Sequence, residues 1–232
     1  MTLAGISAAG RASAEETGTL RIKFAYDGKV PEAEAIKVTA DKEFCGHVDL
    51  KDESLQVNKE GKGIKNFIVY LYQSRRGPKL PKVKAEPKVI ELANKDCRFE
   101  PHVVVMRSDL DVLKVTNPDK VTHNAAVNCL VNDAQNPTIP PGGAAEIKFK
   151  GPEISPFDVK CSIHPWMKAM VVAFDHPYVG VSDANGVVEI KNIPAGTELT
   201  FRANHEAATG KLDGLKQDGK SVTWRANRFK VE

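Results

Sequence analysis

The stretch Lys160 to Val172, KCSIHPWMKAMVV, sets Cys161, His164 and Met167 three positions apart, just ahead of an apolar run. Thiolate, imidazole and thioether are soft or borderline donors, and together they select a soft metal rather than Mg2+ or Ca2+. Each residue alone is ordinary: a single Cys or Met usually fills a core, and Cys-x2-His is half of a zinc site whose second pair is missing. Upstream, the turn NPDKVT precedes His123 and would aim its imidazole inward. A thiolate, two imidazoles and a weak thioether would together select copper. Pro165 stiffens the loop by fixing φ. Met170 competes in composition only, because it alternates with Val172 and Phe174 along the following strand and is expected to face the core.

The other histidines carry less. His102 follows Pro101 at a strand start and reads as structural, His47 sits in the loop CGH, and His176 and His205 lack a partner pattern. No Ser-His-Asp order, paired-carboxylate motif, Gly-rich phosphate loop or H-E-x-x-H occurs. The four cysteines contain no C-x-x-C, which argues against a zinc ribbon, a thioredoxin-like dithiol and a c-type haem. With Cys161 given to metal, any pair of the other three can bridge. Cys45 and Cys97, both in polar loop-like contexts, are the expected disulfide, and Cys129 in AAVNCLV reads as a small buried hydrophobe.

The elements that must position these residues are strands. TLRIKFAY, NFIVYLY, KVIEL, HVVVM, DVLKVTN, AAVNCLV, AEIKF, FDVKC, AMVVAFD, GVSD, VVEIKN, ELTFRA and SVTWRA are short β-branched or aromatic runs divided by Gly, Pro, Asn and Asp. The expected fold class is all-β, as one or two sandwiches. A content of 41% hydrophobic and 27% charged residues is that of a globular chain, and a net charge of +3 is too small to imply nucleic acid or a membrane surface. No apolar run is long enough to span a bilayer. Small residues ending in Ala12-Ser13-Ala14 fit the tail of a secretory signal, so residues 1–17 read as a signal remnant or disordered tail. With the cysteines, they point to the periplasm or secretion. Arg75 to Lys88, rich in Lys, Arg and Pro, reads as an exposed connection (residues 75–92 with the strand that follows) rather than a docking patch for an acidic partner.

Gly180 to Phe201, GVSDANGVVEIKNIPAGTELTF, resembles the second half of a carboxypeptidase regulatory-like, prealbumin-type sandwich, with Val188 in place of the usual aromatic. The resemblance implies a hairpin and a further strand, with NFIVYLY (Asn66 to Tyr72) in the first half. That sandwich would comprise residues 18–74 and 176–232, interrupted by an insertion, unless the chain is three consecutive units.

Residues 93–175 resemble a cupredoxin, the blue-copper Greek-key sandwich. CRFEPHVVVMRSDLDVLKVTNPDKVTHNAAV matches the family's F-x-P-x-x-V-x-V and V-x-N-x-D-x-x-x-H-N runs, IPPGGAAEIKF matches the turn and strand before the ligand loop, and CSIHPWM matches the short amicyanin-like loop. The longer plastocyanin-like spacing would put Met at 169, which is Ala. The resemblance implies one type 1 copper per chain on His123, Cys161, His164 and Met167, and one-electron transfer with an unidentified redox partner protein rather than enzymatic chemistry. It implies that Asn124 hydrogen-bonds across to the Cys161 loop. Pro165 and Trp166 would form an apolar collar beside an exposed His164 edge, unless Trp166 packs between the sandwiches. Copper storage or sensing on a scaffold is the alternative function, and a copper enzyme would need a second metal or an open site.

Overall fold

Frequent Gly, Pro, Asn and Asp leave no room for long helices, and the computed structural model is all-β. It describes residues 16–73, 78, 80, 83–208 and 211–231, where the only helical pieces are the turn Lys42–Cys45 and the 3-10 turn Arg225–Asn227. Most of the signal-like start and the middle of the basic stretch lie outside the described residues.

The central sandwich pairs two four-stranded sheets. One has the order Ala144–Ile147, Val112–Thr116, Val89–Lys95, Arg98–Glu100, and the other Val103–Arg107, Lys168–Phe174, Phe157–Lys160, Ala126–Val127. Val89–Lys95 lies parallel to Val112–Thr116, and Val103–Arg107 parallel to Lys168–Phe174, while the other neighbours are antiparallel. Alternate residues Leu92, Val104, Leu113, Val115, Val159 and Val171 meet between the sheets, as a half-buried strand requires. The first of these strands begins at Val89, within the KVIEL run expected to form the connecting strand.

The second sandwich sets the sheet Val179–Val181, Ile68–Leu71, Leu199–Asn204, Arg228–Val231 against a ribbon of Thr17–Lys23 and Val187–Pro194. Phe24, Phe67, Val69, Val188, Ile190 and Phe201 fill the space between them. The DANG turn ends at Gly186, φ +76°, where a Cβ would lie 2.1 Å from the Phe24 carbonyl oxygen, so only glycine fits this approach. Ile68–Leu71 and Val179–Val181 are hydrogen-bonded neighbours, and residues 89–174 lie between them in the chain.

The two sandwiches meet through Ile68 and Tyr70 on one side and Val172 and Phe174 on the other, with Met170 packed against them. Met170 therefore faces away from the central core. The alternation holds, but this strand is covered on both faces, so its outward set is buried too. Residues 36–50, which show no strand periodicity, join neither core and instead pack around Cys45 and Cys97.

At this junction the His176 ring stacks between Phe174 and Tyr178, with centroids 5.3 and 6.0 Å away. Burial pushes its pKa from 6.5 down to about 4, with Arg107 assisting and Asp175 opposing. The folded protein thus holds the ring neutral where the unfolded chain protonates it. Its contribution is complete above the unfolded value of 6.5 and is lost as pH falls towards 4, by up to about 3 kcal/mol. Urea unfolding at pH 7.5 and 4.5 should show this loss in the wild type and a smaller pH dependence in His176→Phe. Identical pH dependence in both would exclude the contribution.

Candidate metal centre

Phe157–Lys160 delivers Cys161 at its end and Lys168–Phe174 leaves just after Met167, so the ligand loop is a short connection between two paired strands. The loop closes on itself: the Cys161 N–H donates to the Met167 carbonyl at 3.2 Å and the Met167 N–H to the His164 carbonyl at 2.9 Å. His123 arrives on the two-residue strand His123–Asn124, paired with Thr138–Ile139. One ligand atom from each of His123, Cys161 and His164 lies within 4.8 Å of the others. All three residues and Met167 are buried, His123 and His164 completely (0% exposed).

Both imidazoles are held by carboxylates. His123 Nε2 lies 2.9 Å from Asp119 Oδ2, and His164 Nε2 lies 2.9 Å from Asp41 Oδ2. An ionised carboxylate only accepts, so Nε2 donates in both rings and each Nδ1 lone pair is free. His164 Nδ1 lies 3.6 Å from Cys161 Sγ, and His123 Nδ1 is buried with no hydrogen-bond partner. A buried, unpartnered nitrogen beside a thiol and a second imidazole fits a metal ion, which would satisfy it.

Burial alone would raise the Cys161 thiol, but the imidazoles of His123 and His164 and the His164 N–H bring it down to about 5. Burial likewise disfavours the His164 cation, yet Cys161 and Asp41 outweigh it and hold that ring above its ordinary value. The sulfur is therefore largely thiolate at neutral pH, the form that binds metal.

Asn124 fixes the thiolate loop. Its Oδ1 accepts the Ser162 N–H at 2.8 Å and the Ile163 N–H at 3.3 Å, while its Nδ2 donates to Asn136 at 2.6 Å. Trp166 meets His164 edge-on at 5.2 Å and donates from Nε1 to the Cys97 carbonyl at 3.0 Å. It packs on the disulfide cluster rather than between the sandwiches. Pro165 lines a cavity of about 260 Å³ with Arg98, His102 and Glu206. His102 Nε2 pairs with Glu206 of the second sandwich. Cys45 and Cys97 are joined, and Cys129 is half-buried and free.

One expectation is reversed. The resemblance implies an exposed ring edge for His164, but the ring is completely buried and Asp41 holds its Nε2. Two functional carboxylates were missed. Asp119 had a signal, four residues before His123 in the same turn. Asp41 had none, lying 123 positions from His164.

No family model and no curated protein sequence matches the chain. Among solved structures, amicyanin from Paracoccus versutus is similar at 18% identity, over 45% of this chain and 96% of that one, with a TM-score of 0.31. A purple cupredoxin from Nitrosopumilus maritimus is similar at 21% identity, over 37% and 98%, with a TM-score of 0.31. A copper-containing nitrite reductase from Thermus scotoductus SA-01 is similar at 19% identity over 44% of this chain, which spans only 26% of that enzyme, with a TM-score of 0.34.

Replacing Asn124 with Ala removes the acceptor for two backbone N–H groups in a partly buried loop. The expected cost is about 1–3 kcal/mol of stability, read as a lower urea midpoint of the metal-free protein. An unchanged midpoint would show that the loop holds without it.

Proposed function

We propose that the chain is an exported type 1 copper protein that carries single electrons. The observation that carries this reading is the buried cluster of His123 Nδ1, Cys161 Sγ and His164 Nδ1, with Nε2 of each ring held by a carboxylate. Copper held by these atoms and the Met167 sulfur would supply reversible Cu(I)/Cu(II) chemistry. The chain's part is to hold the donors fixed: Asp119 and Asp41 orient the rings, Asn124 pins the thiolate loop, and the sheets on either side keep the cage from relaxing. Four ligands leave no open position for substrate, which favours a carrier over an enzyme.

In this reading the copper unit of residues 93–175 is inserted in a regulatory-like sandwich formed by 18–74 and 176–232, and it serves a redox partner protein. The disulfide favours an oxidising compartment such as the periplasm. No helix among the described residues is long and apolar enough to cross a membrane. A second reading, copper storage or sensing, draws on the covered His164 ring, since a covered ligand slows exchange with a partner.

Titration with Cu(II) should bind one copper per chain and produce an intense thiolate-to-copper band in the visible region. Cys161→Ser should lose the band. A colourless complex, or a band that survives in the serine variant, would sink the proposal.

A further inference from the structure

The covering of His164 extends the copper reading, on which this inference rests. We propose that residues 36–50 form a lid over the metal centre, and that Asp41 is a positioning residue which fixes the outer nitrogen of His164 and closes that ring edge to direct contact with a partner.

The geometry of the lid is specific to this task. Asp41 adopts φ 45°, ψ 46°, a left-handed conformation that few residues other than Gly, Asn and Asp tolerate. Its side chain caps nothing in the helical turn it precedes. Its backbone carbonyl instead accepts the Phe44 and Cys45 N–H groups at 3.0 and 2.8 Å, which frees the carboxylate to reach His164. Cys45 is completely buried and bonded to Cys97. Ile36, Val38, Phe44 and Val48 pack around that bridge together with Val121 and Trp166, so the lid rests on the metal loop and on the approach to His123.

The bridge also serves the other ring. Asp96 and Cys97, both at φ 53°, form the two-residue turn between Val89–Lys95 and Arg98–Glu100. Their N–H groups donate to Asp119 Oδ1 at 2.7 Å and Oδ2 at 2.9 Å, and Asp119 Oδ2 holds His123. One half of the disulfide thus places Asp41 and the other half places Asp119, so a single cross-link sets the carboxylate behind each imidazole. A carboxylate on the far nitrogen strengthens the near nitrogen as a donor and favours the more highly charged metal. The Asp41 side chain is 41% exposed while His164 is fully enclosed, so Asp41 links the Nε2 edge of this ring to the surface through one hydrogen bond.

Asp41→Asn keeps the shape and the left-handed preference and removes the charge, and no backbone cap is lost. It should retain the visible band, bind Cu(II) about 10–100-fold more weakly by chelator competition, and show a higher reduction potential. Glu43→Gln, an exposed residue on the same turn, should change neither. In the metal-free protein, His164 should resist diethyl pyrocarbonate in the wild type and react at least about tenfold faster in Asp41→Ala, as read by peptide mass mapping, because exposure of the ring controls access. Unchanged affinity and potential in Asp41→Asn, or equal His164 reactivity in the wild type and Asp41→Ala, overturns the proposal. The reactivity measurement needs no metal, so it decides the lid even if the wild type fails to bind copper.

Discussion

The bond between Cys45 and Cys97 closes a separation of 52 residues, and the candidate metal centre depends on what it holds together. In the chain-entropy picture a loop of that length removes about 4 kcal/mol of freedom from the unfolded chain. Its local effect is sharper than this global one. Residues 36–50 make no strand in either sandwich, and without the cross-link they would rest on the loop Cys161–Met167 through a few apolar contacts and the Asp41–His164 hydrogen bond. With it, the Asp41 carboxylate is held at hydrogen-bond distance from a ring that comes from a different part of the chain.

The loop Cys161–Met167 is braced from several sides. Asn124 holds its start through two backbone N–H groups, and Trp166 ties its far end to the Cys97 carbonyl. Lys168, the next residue after Met167, pairs with Glu206 at 3.0 Å and Asp158 at 3.4 Å. Burial would raise the Glu206 carboxyl, yet His102 and Lys168 bring it down to about 2, so it stays charged throughout the ordinary pH range. The second sandwich therefore contributes a fixed anion to the end of the ligand loop. Paired and hydrogen-bonded in this way, the charge is held at a tolerable desolvation cost.

Much of this was legible in the residues because strands announce themselves locally. Leu113 and Val115 flank the exposed Lys114, Leu92 follows the exposed Glu91, and the sheets follow that period. The Cys161, His164, Met167 spacing is equally local, since a tight loop between paired strands must bring its own residues together. What escaped was non-local or both-sided. Met170 was assigned to the core because alternation gives the two faces without saying what covers each, and here a second sandwich covers the outer one. The lid has no periodicity to detect, and Asp41 meets His164 only through a cross-link and a turn that no window of sequence contains. Short strands such as Arg98–Glu100, Thr138–Ile139 and Arg228–Val231 are set by their partners rather than by their own composition.

The placement of residues 89–174 between two adjacent strands of one sheet also bears on how the molecule is made. During synthesis Ile68–Leu71 emerges early, but the strands on either side of it, Val179–Val181 and Leu199–Asn204, follow only after the whole intervening sandwich. That intervening unit holds both of its own sheets within one continuous segment and can collapse first, whereas its host must wait for the C-terminal strands. As the inner unit closes it brings its two ends side by side, shortening the gap that the outer sheet must bridge. The part that holds the candidate site thus acts as the clasp on which its host is assembled.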